Sequence, residues 1–383
     1  MADGDAMHLL MINYEYPPIG AGAAKATRSM ARCLVKKGHG VTVLTSAFGD
    51  LRGQSREEGV EVLRIPSLRK RAAQSNMAEM FCFLMSGFLC LPGLMRGRKI
   101  DGTIVFFSFP CGPLGLWGRV LKKIPYVVSL RGGDVPGNEA SLNSIHRLLT
   151  PLRRLIFRHA LSVVANSEGL QQLSEKADPY PVMVIPNGID PHLFHPSTGK
   201  RRKKNRLLFV GRFQAQKNLL FLLNQVELAY QQTGADFQLD FVGDGPLKDE
   251  LVKLSRTLAC RDKIYFHGWC DSSRLRAFYQ EAHFLINPSF CEGMSNVVLE
   301  AMACGCPVIA SNVPGHQEIV QHGKTGFLFD LGKPEQFQEL LAGILSGYFN
   351  VPFENDIASF ETRFYSWEET SGRYLDIFQR AID

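Results

Sequence analysis

The sequence predicts an α/β protein built from two successive doubly wound parallel sheets, and three observations carry that prediction. Short apolar runs alternate with helix-length segments nearly throughout the chain. The runs are continuously apolar, as strands covered on both faces must be. The rhythm stops once, in a stretch rich in proline, glycine and basic residues, and then resumes, which is how a linker between two domains reads. A length of 383 residues suits two domains at about 150 residues each.

The first series of strands is expected at residues 8–13, 41–45, 60–65, 103–107, 126–130, 161–165 and 182–185, with a helix at 24–37 between the first two. Each run is rich in Val, Ile and Leu and bounded by turn-forming or charged residues. This gives an N-terminal domain at 1–188 and a hinge at 189–205, where Pro186-Asn-Gly-Ile-Asp-Pro191 leads to the basic run Lys200 to Lys204. That run reads as a solvated linker. The second series follows at 207–210, 238–242, 264–267, 284–287, 308–310 and 326–329, within a second domain at 206–355. After Pro352 a single amphipathic helix is expected near 367–382, with Tyr374, Ile377, Phe378 and Ala381 on one face. It has no sheet of its own, so 356–383 reads as a crossover segment. Ligands of open α/β sheets bind at the carboxyl ends of the strands, so the site is expected in a cleft between the two domains.

Residues 80–95 hold twelve apolar side chains in sixteen, between Arg69-Lys-Arg71 and Arg96, Arg98 and Lys99. At 1.5 Å per residue such a helix spans about 24 Å, short of a hydrocarbon core of about 30 Å, and Pro92 interrupts it. It reads as a packed domain helix; peripheral contact with a membrane surface is the alternative.

Composition narrows the function. With 45% hydrophobic and 21% charged residues, disordered, collagenous and polytopic membrane classes are excluded. A net charge of +6 with no interleaved aromatic-basic signature argues against nucleic acid. Nine cysteines without a C-x-x-C pair read as reduced thiols in the cytoplasm, with Cys304 and Cys306 in packing roles and no metal site expected. The N-terminus lacks the basic segment of a signal peptide, and Asn287-Pro-Ser is no glycosylation acceptor because of its proline.

Three segments carry chemistry. Tyr16-Pro-Pro-Ile-Gly20-Ala-Gly22-Ala-Ala-Lys25 follows the first strand and opens a helix, an arrangement that suits an anion. Lys25 stands where a dinucleotide fingerprint needs glycine, and the second strand ends without an acidic residue, so NAD is not expected. Gly211-Arg212-Phe-Gln-Ala-Gln-Lys217 places two cations on a loop after a strand, suited to a diphosphate. In Asn287-Pro-Ser-Phe-Cys-Glu292-Gly-Met-Ser-Asn-Val-Val-Leu-Glu300, a loop carboxylate and a helical one flank the amides of Gly293 to Asn296, a set suited to a polyhydroxylated ligand. His322-Gly-Lys-Thr325 resembles the end of a P-loop but precedes an apolar run, so it reads as a plain turn.

Taken in order, Gly20/Gly22, Gly38-His-Gly-Val-Thr-Val43, Ile185-Pro-Asn-Gly-Ile-Asp190, Gly211-Arg212 with Lys217, Gly243-Asp-Gly-Pro246, Pro288-Ser with Glu292 and Glu300, and Pro314-Gly-His-Gln-Glu-Ile-Val320 resemble the retaining glycosyltransferases with the GT-B fold, group 1 or family 4. The match covers nearly the whole chain and is most specific in its C-terminal half. The resemblance implies two Rossmann-like domains facing a cleft, with the C-terminal helix packing back on the N-terminal domain. It also implies a nucleoside diphosphate sugar as co-substrate, no cofactor and no metal, and a glycan or lipid-linked acceptor in cell-surface glycan or glycolipid synthesis. By this similarity Glu292, Arg212 and Lys217 are the catalytic set. Gly22, Arg131, Asp134, Gly211, Trp269, Gly293, Met294, Ser295 and Glu300 bind the donor. Arg131 stands where the family commonly has a histidine, and an arginine exchanges no proton at neutral pH, so a binding role to hydroxyls or phosphate is expected of it. The same resemblance leaves a catalytically silent sugar-nucleotide scaffold and a GT-B epimerase as rivals.

Overall fold

Strands β1 (His8–Ile12), β2 (Gly40–Ser46), β3 (Gly53–Glu57), β4 (Val60–Ile65), β5 (Gly102–Phe106), β6 (Tyr126–Ser129), β7 (Ser162–Ala165) and β8 (Val182–Val184) form one sheet in the order 3-4-2-1-5-6-7-8. The structure, a computed structural model, describes residues 6–72, 75–139, 142–197, 202–347, 357 and 366–381. Every pairing in this sheet is parallel except that of β3, which runs antiparallel along β4. The period-two geometry of a strand sends successive side chains to opposite faces. Leu10 and Ile12 of β1 therefore join one apolar cluster, and Leu9 and Met11 the other. The continuous hydrophobic run at 8–13 is thus buried on both sides.

The second sheet has β9 (Arg206–Val210), β10 (Gln238–Val242), β11 (Ile264–Gly268), β12 (Phe284–Asn287), β13 (Val308–Ser311) and β14 (Gly326–Phe329). All are parallel, in the order 11-10-9-12-13-14. This is a complete doubly wound order, reversing direction between β9 and β12. Leu207 and Phe209 face one cluster, Leu208 and Val210 the other.

One compact unit comprises Met1–Gly188 with Trp367–Asp383, and the other comprises Ile189–Ser366. The C-terminal helix Trp367–Gln379 therefore belongs to the first unit, as expected. It lies against helix Gly22–Lys36 and buries Trp367, Tyr374, Leu375 and Phe378 among β1, β2 and β5 side chains. A Cβ on Gly102 would sit 2.6 Å from the Phe378 ring, so the ring rests on bare backbone. Ser129 Oγ lies 2.6 Å from the Tyr374 hydroxyl, and Thr370 Oγ1 donates to Pro186 O at 2.9 Å.

Three expectations need correction. The hairpin strand β3 escapes the pattern because its residues, Gly-Gln-Ser-Arg-Glu, are polar and almost wholly exposed; an edge strand needs no apolar face. The apolar helix runs Met77–Arg96 straight through Pro92, about 30 Å instead of 24 Å. By length and composition alone it could cross a membrane, but Phe83, Leu84 and Leu91 are packed into the N-terminal core. The basic run is not simply solvated. Arg202 donates to Tyr279 O, Ala282 O and Cys304 O at 2.8 to 3.0 Å, because helix C-termini leave carbonyls that a guanidinium can satisfy. Residues 198–201, 348–356 and 358–365 of the expected linker and crossover lie outside the described residues. Cys304 and Cys306 are fully buried and unbridged, in packing roles as expected.

Phe378→Ala should lower the stability of the N-terminal unit by about 3 to 5 kcal/mol, read as a shift of its urea transition to lower denaturant. An unshifted transition would mean that the helix does not complete that core.

Candidate functional site

Where strand order reverses, the loops after the two flanking strands diverge and leave a crevice at the sheet's C-terminal edge. In the second unit those strands are β9 and β12. After β9 come Gly211 and Arg212, then a 3-10 turn at Ala215–Lys217 that leads into helix Leu219–Thr233. After β12 comes the loop carrying Glu292, followed by helix Asn296–Ala303. The two loops are laced together: Phe290 N donates to Gln216 O at 2.9 Å and Gln216 Nε2 to Cys291 O at 2.7 Å.

The lacing brings Lys217 Nζ to 2.5 Å from Glu292 Oε1, with side chains only 15% and 9% exposed. Ser289 Oγ lies 2.7 Å from the same carboxylate oxygen and 2.6 Å from Asn287 Oδ1, and its single proton serves one of them at a time. Burial pushes the Glu292 carboxyl upward. The Lys217 ammonium, the His316 ring and the bonds from Lys217 and Ser289 outweigh it and hold the group below its ordinary value of 4.5. Arg212, on the same loop as Lys217, is half-buried and enters no ion pair among the described residues. Lys217 and Glu292 thus meet as a pair at the switch point, and Arg212 stands on the loop that carries Lys217.

Glycines make this crowding feasible. Gly243 follows β10 at φ +140°, and a Cβ there would stand 1.9 Å from Gly211 O. A Cβ on Gly315 would stand 2.1 Å from Gly293 O and 2.6 Å from Glu292 O, so the turn after β13 presses directly on the Glu292 loop.

The remaining candidates divide by what their side chains already hold. Glu300, in helix Asn296–Ala303, is buried and accepts from Tyr279 Oη at 2.9 Å. Burial and the adjacent carboxylate keep the Tyr279 phenol protonated, well above its ordinary range. Met294 points into the apolar cluster, so backbone is what it offers outward. Ser295 stands at the N-cap of this helix but makes no capping bond; its hydroxyl accepts from Asn287 Nδ2 at 3.2 Å. Gly293 is half-buried between them. Trp269 follows β11 at the same edge of the sheet and is 76% exposed.

In the N-terminal unit, Gly22 is exposed at the start of helix Gly22–Lys36. Arg131 and Asp134, expected to bind the donor, have partners within their own unit. The Arg131 guanidinium donates to Asn187 Oδ1 at 2.5 Å and lies over the Phe106 ring at 4.8 Å, with Nε buried and unbonded. Asp134 accepts from the amides of Ser108, Arg131 and Gly132 at 2.7 to 3.2 Å. A carboxylate so engaged fixes the loop between β6 and the next helix.

His316 was not among the expected site residues. It is fully buried, with Nδ1 2.9 Å from Ser311 O, and its Nε2 has no bonding partner among the described residues. Burial pushes its pKa below 6.5, although Glu292 pulls the other way. The signal lay in Pro314-Gly-His316, a polar ring in a turn between two apolar runs.

Two outcomes follow. Gly315→Ala should displace the Glu292 loop and lower stability by about 1 to 3 kcal/mol, measured by denaturant melts. Since folded His316 refuses a proton that the unfolded chain takes, its stability contribution holds above 6.5 and fades as pH falls below that value. The wild type should therefore lose stability relative to His316→Asn as the medium is acidified from neutral through that value; parallel profiles would show that His316 protonates freely.

The family profile described as "Glycosyl transferase 4-like domain" matches residues 21–188, and that described as "Glycosyl transferases group 1" matches residues 204–346. An uncharacterized glycosyltransferase of Methanocaldococcus jannaschii is 25% identical over 98% of this chain and 99% of its own. Sucrose-phosphate synthase from Thermosynechococcus elongatus superposes with a TM-score of 0.83 at 19% identity, covering 98% of this chain and 99% of that one. Anabaena HepE, in complex with UDP and glucose, superposes with a TM-score of 0.76 at 17% identity, covering 97% and 99%. The two profiles fall one on each sheet-bearing part of the chain, and the protein belongs to the group 1 glycosyltransferases of GT-B type.

Proposed function

We infer that the protein is a retaining glycosyltransferase that works without a metal ion, moving a hexose-type unit from a nucleoside diphosphate sugar to a hydroxyl of a glycan or lipid-linked acceptor in cell-surface glycan or glycolipid synthesis. The observation that carries this reading is the Lys217–Glu292 pair at the switch point of the second sheet, on loops that also carry Arg212.

The chemistry asks for two things: stabilisation of the departing diphosphate and of an oxocarbenium-like sugar. Arg212 offers a planar fork and Lys217, which shares its charge with Glu292, further ammonium donors toward the diphosphate's developing negative charge. Glu292, held ionised by Lys217, accepts from sugar hydroxyls on its remaining lone pairs. Glu300 retains acceptor capacity for the ribose beside its bond from Tyr279, and the amides of Gly293, Met294 and Ser295 meet sugar or phosphate oxygens. Trp269, with its exposed ring, offers a face for the base. The sugar–oxygen bond to the diphosphate breaks, the acceptor oxygen bonds to the anomeric carbon on the same face, and the acceptor proton passes to the leaving phosphate oxygen. No side-chain base is required for that balance. The nucleotide and hexose bound by Anabaena HepE, a protein of the same fold, support the donor class.

Calorimetric titration of UDP, GDP and ADP in EDTA tests the donor site directly. One of them should bind at micromolar strength; Arg212→Ala should weaken it by about 1.5 to 3 kcal/mol, and unchanged affinity would remove Arg212 from the site. Glu292→Gln should depress turnover far more than nucleotide affinity. A fully active variant would show that this carboxylate does not face the sugar.

A further inference from the structure

The Lys217–Glu292 pair acts on a third titratable side chain, His316. Its ring is fully buried, with Nδ1 2.9 Å from Ser311 O. A carbonyl oxygen only accepts, so Nδ1 carries the proton of the neutral ring and Nε2 presents a lone pair. That Nε2 has no bonding partner among the described residues, and a buried acceptor left unsatisfied bears its whole desolvation penalty.

Two charged groups act on this ring. Glu292, on the loop after β12, favours the imidazolium, while Lys217, on the 3-10 turn after β9, opposes it together with burial. The turn that carries His316 is pressed against the first of these loops, where a Cβ on Gly315 would stand 2.6 Å from Glu292 O. A proton on Nε2 would add a second cation to a carboxylate that Lys217 already compensates at 2.5 Å. The ring therefore stays neutral while the pair is intact.

A diphosphate at Lys217 changes that balance. The ammonium is the one cation paired with Glu292 among the described residues, and a buried carboxylate that loses its cation is strongly destabilised. An anion beside Lys217 removes the repulsion that keeps His316 neutral and adds an attraction of its own. Both changes favour a proton on the ring.

We propose that His316 is a positioning residue that takes over from Lys217 as the counter-ion of Glu292 when a diphosphate binds. Nε2 takes one proton from solvent, Nδ1 still donates to Ser311 O, and the imidazolium holds the Glu292 carboxylate ionised. Lys217 is thereby released to the phosphates, and no bond of the donor is made or broken. The ligand is the one inferred under the donor reading above, on which this step rests; the exchange among the three side chains does not need it.

Two measurements test the exchange, the first without ligand. In protein labelled with carbon-13 histidine, the His316 Cε1 resonance is identified by its loss in His316→Asn. At pH 7 it should report a neutral ring in the wild type, a protonated one in Lys217→Met or Lys217→Gln, and a neutral one again when Glu292→Gln is added. A neutral ring in the Lys217 single variants overturns the proposal, whatever the donor proves to be. The second measurement is calorimetry at pH 7 with UDP-glucose, GDP-mannose and ADP-glucose, diesters without a phosphate that titrates near neutrality, in buffers of low and high ionisation enthalpy. The nucleotide that binds should take up about half a proton or more per site in the wild type and none in His316→Asn, whose amide can still donate to Ser311 O. Equal uptake by the two proteins, or none by either, overturns the exchange even where the Lys217 variants do not fold. Binding of none of the three removes the donor reading, and the His316 resonance in the Lys217 variants then decides the exchange.

Discussion

Neither Lys217 nor Glu292 keeps its full hydration shell, so each depends on the other for its charge to be tolerable. Much of the second unit's loop architecture serves that requirement. The exchange of bonds between Gln216 and the Phe290–Cys291 backbone sets the distance, and Ser289 supplies a hydroxyl to the carboxylate. Ser311 donates to Ser289 O at 2.5 Å and so ties the end of β13 into the same arrangement. Gly315 lets the next turn approach within the space a side chain would occupy. Substituting one member of the pair alone leaves a buried charge without its complement, which is why such sites resist piecemeal change.

The parallel strands of both sheets were legible because burial on two faces leaves a continuous apolar signature. Runs such as Leu207 to Val210 or Tyr126 to Ser129 can hardly be anything else in a βα rhythm. The antiparallel β3 was not, since Gly53 to Glu57 makes its bonds through backbone and exposes its side chains. The helix through Pro92 was underestimated for a related reason: proline removes one intrahelical bond, and packing of Leu91 and Met95 carries the helix past it.

At the site, residue type and spacing showed which charges would gather, but not how they would pair. Arg212, Lys217 and Glu292 could be named from loops that follow strands, while the 2.5 Å contact between two of them depends on a crossing of loops that are 75 residues apart in sequence. His316 lay within a quoted motif, Pro314 to Val320, but was assigned no role because a single histidine in a turn carries no spacing signal of its own. Arg131 is a case in which spacing says nothing of the partners a side chain already has. Its position suggested a ligand contact, yet the side chain is engaged by Asn187 and Phe106 within its own unit.

The placement of helix Trp367–Gln379 on the first unit means that the second unit is, in chain order, an insertion into the first. At ribosomal rates the stretch from Ile189 to Ser366 takes about ten to forty seconds to emerge. For that interval the surface that receives Tyr374 and Phe378 is bare, with Gly102 backbone exposed where the ring will lie. Until then the N-terminal unit lacks the helix that covers one side of its core. Such a chain begins its first unit first and completes it last.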